Sequence, residues 1–226
     1  MRKSCKTAIL IHMIVIIFLF STALSANENT PEITNISSGQ FTVSWITEKP
    51  CKGTVKLYRD SLKTQEFSDD RGREYKGRTH YVTIKNLFPN TLYTFSIISN
   101  NQLNPENDQL YHVTTGPVLV PVGSIQPAGK VVLDDRKTAA AQSIAYVTIL
   151  RDDKKSAMLS TLVDENGYWF IELINSRTSD HTRLYKITNK DRISLSFVGE
   201  NGTANFIGKI FDNEGGTKLY PVIILK

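Results

Sequence analysis

The side chains best able to do chemistry in this sequence are few and far apart. His80, His112 and His181 show none of the close spacing that metal ligation on one strand or helix requires. Each is therefore expected to be a strand histidine, at an edge or partly exposed. Cys51, between Pro50 and Lys52, would be a nucleophile only with a histidine base beside it in space and a depressed pKa. An inert thiol, buried or mildly exposed, is expected. Asp152, Asp153 and Asp164, the last followed by Asn166 and Gly167, echo a fragment of a calcium loop, but the distant bidentate carboxylate is missing. The 164–167 stretch reads as a turn in which Asn or Gly takes a positive φ. Lys130 and Glu172 supply two parts of an intramolecular isopeptide bond, yet residues 220–225 offer no Asn or Asp to complete it, and both are read as solvent-facing. There is no Gly-x-Ser-x-Gly, no paired-acid constellation and no metal cluster. No catalytic residue, cofactor site or metal site is assigned.

One cluster of another kind remains. Tyr168, Trp169 and Phe170 are consecutive, and strand alternation must send at least one of them outward. With Trp169 inward beside Ile171 and Leu173, Tyr168 and Phe170 face the other way. They form a binding surface for carbohydrate or peptide, a module interface, or an ordinary strand surface, the last two being the more economical readings.

These residues sit on strands. Phe41, Val43 and Trp45 alternate with Gln40, Thr42 and Ser44, and the same period of two returns at Val55 and Leu57, Val82 and Ile84, Tyr93, Phe95 and Ile97, then Tyr111 and Val113. Further strands are expected over 130–133, 144–150, 158–163, 168–173, 193–198, 206–211 and 219–225. The intervening turns include Asn201 with Gly202 and Gly215 with Gly216. Helical periodicity is absent beyond the first 25 residues. The fold class is all-β, two tandem β-sandwich domains, and about 200 residues suit two units of that size. Pro117, Pro121 and Pro127 mark 117–126 as an extended, semi-rigid linker expected to hold the domains end to end.

Leu87, Pro89, Thr91 and Tyr93, at every second position before a strand, resemble a fibronectin type III domain over 31–116, with Trp45 as an early-strand core residue. The resemblance implies a tyrosine corner, in which the Tyr93 hydroxyl bonds to upstream backbone. The stretch from Ser44 to Thr47, then Val55, Leu57 and Tyr58, is most similar to the variant preceding the catalytic domain of purple acid phosphatases, although no metal-binding domain of that kind follows. Over 127–226, Gly129, Val131, Ala145, Val147, Ser160, Thr161, Asp164, Gly167 and Trp169 resemble a carboxypeptidase regulatory-like module, which implies a prealbumin-like (transthyretin-like) sandwich. The polar stretch 176–191 departs from that pattern and leaves a strand in question.

Arg2, Lys3 and Lys6 precede an uncharged apolar run over 9–24, and Ala23 and Ser25 fit a cleavage site. Residues 1–25 are read as a cleaved signal peptide, an uncleaved anchor being the alternative. Cleavage removes Cys5, leaving Cys51 without a disulfide partner, and takes the formal charge from +5 to about +2. So small a charge makes no case for nucleic acid. Asn35 with Ser37 and Asn201 with Thr203 are glycosylation sequons that matter only in a eukaryotic secretory pathway. The expected protein is secreted, periplasmic or at the cell surface, without stable membrane insertion once cleaved. Its expected role is non-enzymatic binding or scaffolding toward an extracellular protein or polysaccharide. The alternatives are an accessory subunit presenting polysaccharide or protein to a separate hydrolase, and a glycan-binding module.

Overall fold

A computed structural model describes residues 30–58, 63–104, 110–211 and 219–226. The expected signal peptide lies outside the described residues, as do Gly215 and Gly216. The first half contains β1 (Glu32–Thr34), β2 (Phe41–Cys51), β3 (Gly53–Tyr58), β4 (Thr64–Ser68), β5 (Gly77–Ile84), β6 (Leu92–Ser99), β7 (Gln102–Asn104) and β8 (Tyr111–Thr114). They form a three-stranded sheet, β1-β2-β5, and a five-stranded sheet, β4-β3-β6-β7 with β8 also on β6. Phe41, Val43, Trp45, Val55, Leu57, Phe95 and Ile97 fill the space between the sheets. Period-two alternation on both sheets puts them there. β4 was not expected, because four of its five residues are exposed and its composition is polar.

The turn into β6 is fixed by Tyr93, whose ring is buried and whose hydroxyl accepts the Phe88 N–H at 2.7 Å. Leu87 is buried beneath it, Thr91 Oγ1 donates to the exposed Pro89 carbonyl at 2.9 Å, and Thr91 N–H donates to Thr115 Oγ1 at 3.0 Å. Replacing Tyr93 with Phe leaves the Phe88 N–H without this acceptor and should cost about 1–3 kcal/mol. Tyr58 has only a 3.2 Å contact with Ser96 Oγ on a half-buried surface, and Tyr58→Phe should cost less. Urea midpoints at constant slope measure both, and equal shifts would refute the corner.

The second half contains β9 (Ala128–Val132), β10 (Ile144–Arg151), β11 (Lys154–Lys155), β12 (Leu159–Leu162), β13 (Tyr168–Phe170), β14 (Arg192–Gly199), β15 (Gly202–Lys209) and β16 (Ile223–Ile224). β11-β10-β14-β15, with β12 also on β10, faces a smaller sheet, β13-β9-β16, in which β16 runs parallel to β9. Trp169, Val147, Ile149, Leu173, Ile193, Leu195 and Phe197 lie in the core between them. The expected strand over 168–173 stops at Phe170 and passes into a 3-10 turn at Leu173–Asn175. The expected strand over 206–211 is instead Gly202–Lys209, in register with the whole of β14. No strand forms over 176–191, which is tied down by Ser176 and Arg177, both buried, through Tyr185 N–H to Ser176 O and Ala157 N–H to Arg177 O.

The sandwiches do not meet end to end as the linker prolines suggested. The outer face of β1-β2-β5 packs against β10, β12 and β14 of the larger second sheet, while β11 and β15 at its edges stay exposed on that sheet. Thr34, Thr42 and Ser44 have no exposure at all. Ser44 Oγ bonds Tyr146 Oη at 2.8 Å, Thr34 Oγ1 bonds Ser160 Oγ at 2.6 Å, and Tyr81 Oη donates to Ser160 O at 3.0 Å. Tyr81, Ile144, Tyr146 and Val198 make an apolar cluster around these bonds. Burial holds the Tyr146 phenol protonated far above its ordinary range, against the pull of the Ser44 bond. At the rim, Arg71, paired with buried Asp69 at 2.8 Å, also donates to the Gln142 carbonyl at 3.1 Å, and Arg78 N–H donates to Glu200 Oε1 at 2.8 Å. The physical reason for the side-by-side arrangement is that hydroxyls and an amide on one outer face find partners on the other. A protease nick engineered within 118–122 should leave the two halves associated in gel filtration. Halves that part at neutral pH would mean that this contact does not hold the molecule together.

Candidate binding surface

The outer face of β13-β9-β16 gathers four of the exposed large apolar side chains on one sheet. Phe170 pairs across to Ala128, and Ala128 bridges in parallel to Leu219, so one row runs Phe170, Ala128, Leu219. Tyr168 pairs with Lys130 in the next row, beside Val222, which precedes the Ile223 to Val131 pairing. Phe170 is 66% exposed, Leu219 77%, Tyr168 53% and Val222 56%, while Trp169 between the two outward aromatics is 1% exposed. The short strand alternates strictly, and Trp169 anchors it against Phe197 and Tyr220 at centroid distances of 5.6 and 5.8 Å. Lys130 Nζ lies 5.0 Å over the Tyr168 ring, placing one cation on an otherwise apolar face. The turn before the strand is held by Asp164, whose Oδ1 accepts the N–H groups of Asn166 and Tyr168 at 2.9 and 2.8 Å. Gly167 there has φ +84°, and a Cβ on it would meet Val131 O at 2.5 Å. Asp164 is therefore committed to its own turn, whereas Asp152, at φ 51°, and Asp153 cap the β10 to β11 hairpin.

Lys130 and Glu172 are not brought together. Against the upward push of burial, hydrogen bonds from Ser124 Oγ, Ile125 N–H and Ile174 N–H hold the Glu172 carboxyl below its usual range, and those bonds turn it toward the linker.

His112 is where a strand histidine was expected, exposed on the edge strand β8, and His181 is half-buried outside any strand. His80 lies on β5, an edge strand of its sheet, but its side chain points into the core. It has no solvent exposure and stacks on Trp45 at 4.8 Å between ring centroids. A signal was present, since His80 is in phase with Val82 and Ile84, which face the core. Its Nε2 lies 3.2 Å from Thr47 Oγ1 and 3.6 Å from Cys51 Sγ, so the fold makes a Cys–His pair that spacing concealed. Burial lowers the His80 pKa to about 4, with Arg71 adding to the effect and Asp69 opposing it. The lowered pKa favours the neutral ring over the imidazolium that would hold a thiolate, and His80, Thr47 and half-buried Cys51 form one hydrogen-bonded cluster. His112 and His181 line one cleft of about 390 Å³ with Asn90 and Asp180. His112 bonds Thr94 Oγ1 at 3.1 Å, and burial, then Arg177, lower the His181 pKa. Among the described residues no three His, Cys, Asp or Glu side chains converge as a metal site.

Of the sequons, Asn201 is exposed in the β14 to β15 turn. Asn35 is not available: its Nδ2 donates to Ser160 O at 3.0 Å and its Oδ1 accepts Ser160 N–H at 2.9 Å, inside the contact between the sandwiches.

No family model matches the chain, and no curated protein matches it. Solved structures that it resembles include PhoD, at 11% identity over 50% of this chain with a TM-score of 0.30. They also include the FN1-FN3 domains of chicken CNTN1, at 11% identity over 80% of this chain and 64% of that one, TM-score 0.31. BcpA, the major pilin subunit of Bacillus cereus, matches at 12% identity over 87% of this chain and 70% of that one, TM-score 0.26. The chain spans only 24% of the PhoD chain. The likeness is to β-sandwich build and carries no argument about activity.

Because the folded His80 pKa lies below the unfolded value, the unfolded chain binds the extra proton between about pH 6.5 and 4. Stability is full above that window and falls as pH drops through it, by up to about 3 kcal/mol from this residue. His181 shifts in the same direction, so the measurement is a comparison: His80→Gln should flatten the loss of urea midpoint between pH 7 and pH 4.5. An unchanged slope would place the proton uptake elsewhere.

Proposed function

We propose that this chain is an exported, non-enzymatic binding or scaffolding protein. In this reading a fibronectin type III-like sandwich and a carboxypeptidase regulatory-like, prealbumin-like sandwich act as one rigid unit. That unit presents the β13-β9-β16 face to an extracellular protein or polysaccharide. The observation that carries the reading is the exposed row of Phe170 and Leu219 beside Tyr168 and Val222 on one regular sheet face. Contiguous apolar ground of this kind marks an interaction site more often than scattered exposed residues do. The 3-plus-5 strand arrangement and the Tyr93 bond to Phe88 N–H support the fibronectin type III assignment of the first sandwich.

Flat aromatic side chains with a lysine beside Tyr168 suit a sugar ring or an extended peptide equally well, so the test must separate them. Mature protein is passed over immobilised cell-envelope polysaccharide and, in parallel, over intact envelope protein, with wild type compared to Tyr168→Ser/Phe170→Ser. Retention on one of the two should fall at least about tenfold in the double variant, with the denaturation midpoint unchanged because neither side chain is in the core. Full retention by the double variant would remove this face as the binding surface. Turnover in a broad hydrolase screen would refute the non-enzymatic reading.

A further inference from the structure

Between the sandwiches, residues 118–122 are neither helix nor turn, none of them has a positive φ before Gly123 bends the chain at φ +98°, and no backbone group of 118–122 bonds to another described residue. The launch of this segment is fixed. Gly116 N–H donates to Ser37 O at 3.0 Å, Asn90 N–H donates to Gly116 O at 3.2 Å, and the buried Arg177 guanidinium donates to Pro117 O at 3.0 Å. Beyond that point the side chains alternate as in a strand. Val118, Val120 and Val122 are 68%, 78% and 85% exposed, whereas Leu119 and Pro121 are half-buried and line a cleft with Arg177. The alternation is that of a β-strand that has no partner strand among the described residues.

The geometry points to residues 118–122 as a pairing strand through which two copies of this chain associate, antiparallel and centred on Val120. The phase of the proline selects this register. In an extended chain the N–H and C=O of 118, 120 and 122 point to one edge and those of 119 and 121 to the other. Pairing along the valine edge sets Val118 against Val122 and Val120 against its own copy. These are hydrogen-bonded pairs, giving about six backbone bonds. Pro121 then falls opposite Leu119 in a non-hydrogen-bonded pair, where its missing N–H costs nothing. Pairing along the other edge would put the proline where a donor is required.

The partner is a second copy because the segment complements itself. It is apolar and β-branched on one face, and 116–127 contains no charged residue, so two copies meet without repulsion. Of the devices that guard an open edge, a lysine and an inward charge are missing here, and Pro121 guards only the opposite edge. A two-stranded contact is marginal alone, and the association is reversible and concentration-dependent.

The test is sedimentation velocity of the mature chain through the micromolar range. A monomer–dimer equilibrium is expected. Val120→Pro removes the central donor from both copies and should weaken the dimer at least about tenfold. Its fold is checked by an unchanged urea midpoint, which is expected because the native Val120 N–H bonds to no described residue. Pro121→Val should leave the dimer intact, and Val120→Cys in a Cys51→Ser background should cross-link on oxidation. Monomer at every concentration, a dimer indifferent to Val120→Pro, or a monomer that instead takes up an extended foreign peptide would each overturn the proposal. The Tyr168→Ser/Phe170→Ser variant should dimerise normally, which keeps this outcome separate from that of the sheet-face binding experiment.

Discussion

The architecture depends on Asn35. It sits at the end of β1 with φ 53°, a conformation that Asn tolerates better than most residues. From there its side-chain amide reaches the other sandwich as both donor and acceptor to Ser160, and its own N–H donates to Met158 O at 3.2 Å. The same Nδ2 is within 3.1 Å of both Thr42 Oγ1 and Tyr81 Oη. A buried polar network is favourable only when each member is satisfied, and removing one leaves the others unpaired in a dry site. That asymmetry fixes the angle between the sandwiches more tightly than an apolar contact of the same size would, because sliding by one residue breaks the pairing of donors with acceptors.

Much of the fold was legible because period-two alternation is a direct image of a half-buried strand. Phe41, Val43 and Trp45 did go inward, and so did Tyr93, Phe95 and Ile97. Alternation reports which residues are alike, however, and not what the other face meets. Thr42 and Ser44 have the composition of a solvent face, and hydroxyls suit water and a hydrogen-bonded interface equally well. The contact between sandwiches was therefore invisible, and a proline-rich linker was read as setting the arrangement that the sheets set instead. His80 does lie on an edge strand, but its residue type gave no sign that it would be fully buried, whereas its phase with Val82 and Ile84 did. Residues 176–191 fold through buried Ser176 and Arg177 and through isolated bridges such as Arg177 to Leu184, which have no periodicity to read.

The candidate surface was partly legible. The outward direction of Tyr168 and Phe170 followed from three consecutive aromatics on a strand. The contribution of Leu219 and Val222 did not, because they reach the same face through the parallel strand β16 at the other end of the sequence. Parallel pairing of distant segments leaves no local trace, unlike a hairpin, whose turn residues announce it.

That parallel pairing has a mechanical meaning. Tension entering the second sandwich through 117–126 and leaving beyond β16 would pull neighbouring parallel strands in opposite directions along their length. The bonds joining them, Leu225 N–H to Val132 O at 2.8 Å and Tyr220 N–H to Ala128 O at 3.0 Å with the β9 to β16 ladder between, would then be loaded in shear and would have to fail together rather than peel one at a time. Resistance to forced unfolding is governed by the height of such a barrier and not by equilibrium stability. A strand of two residues, negligible in any ledger of folding energy, thus sits where it decides how the sandwich yields under load.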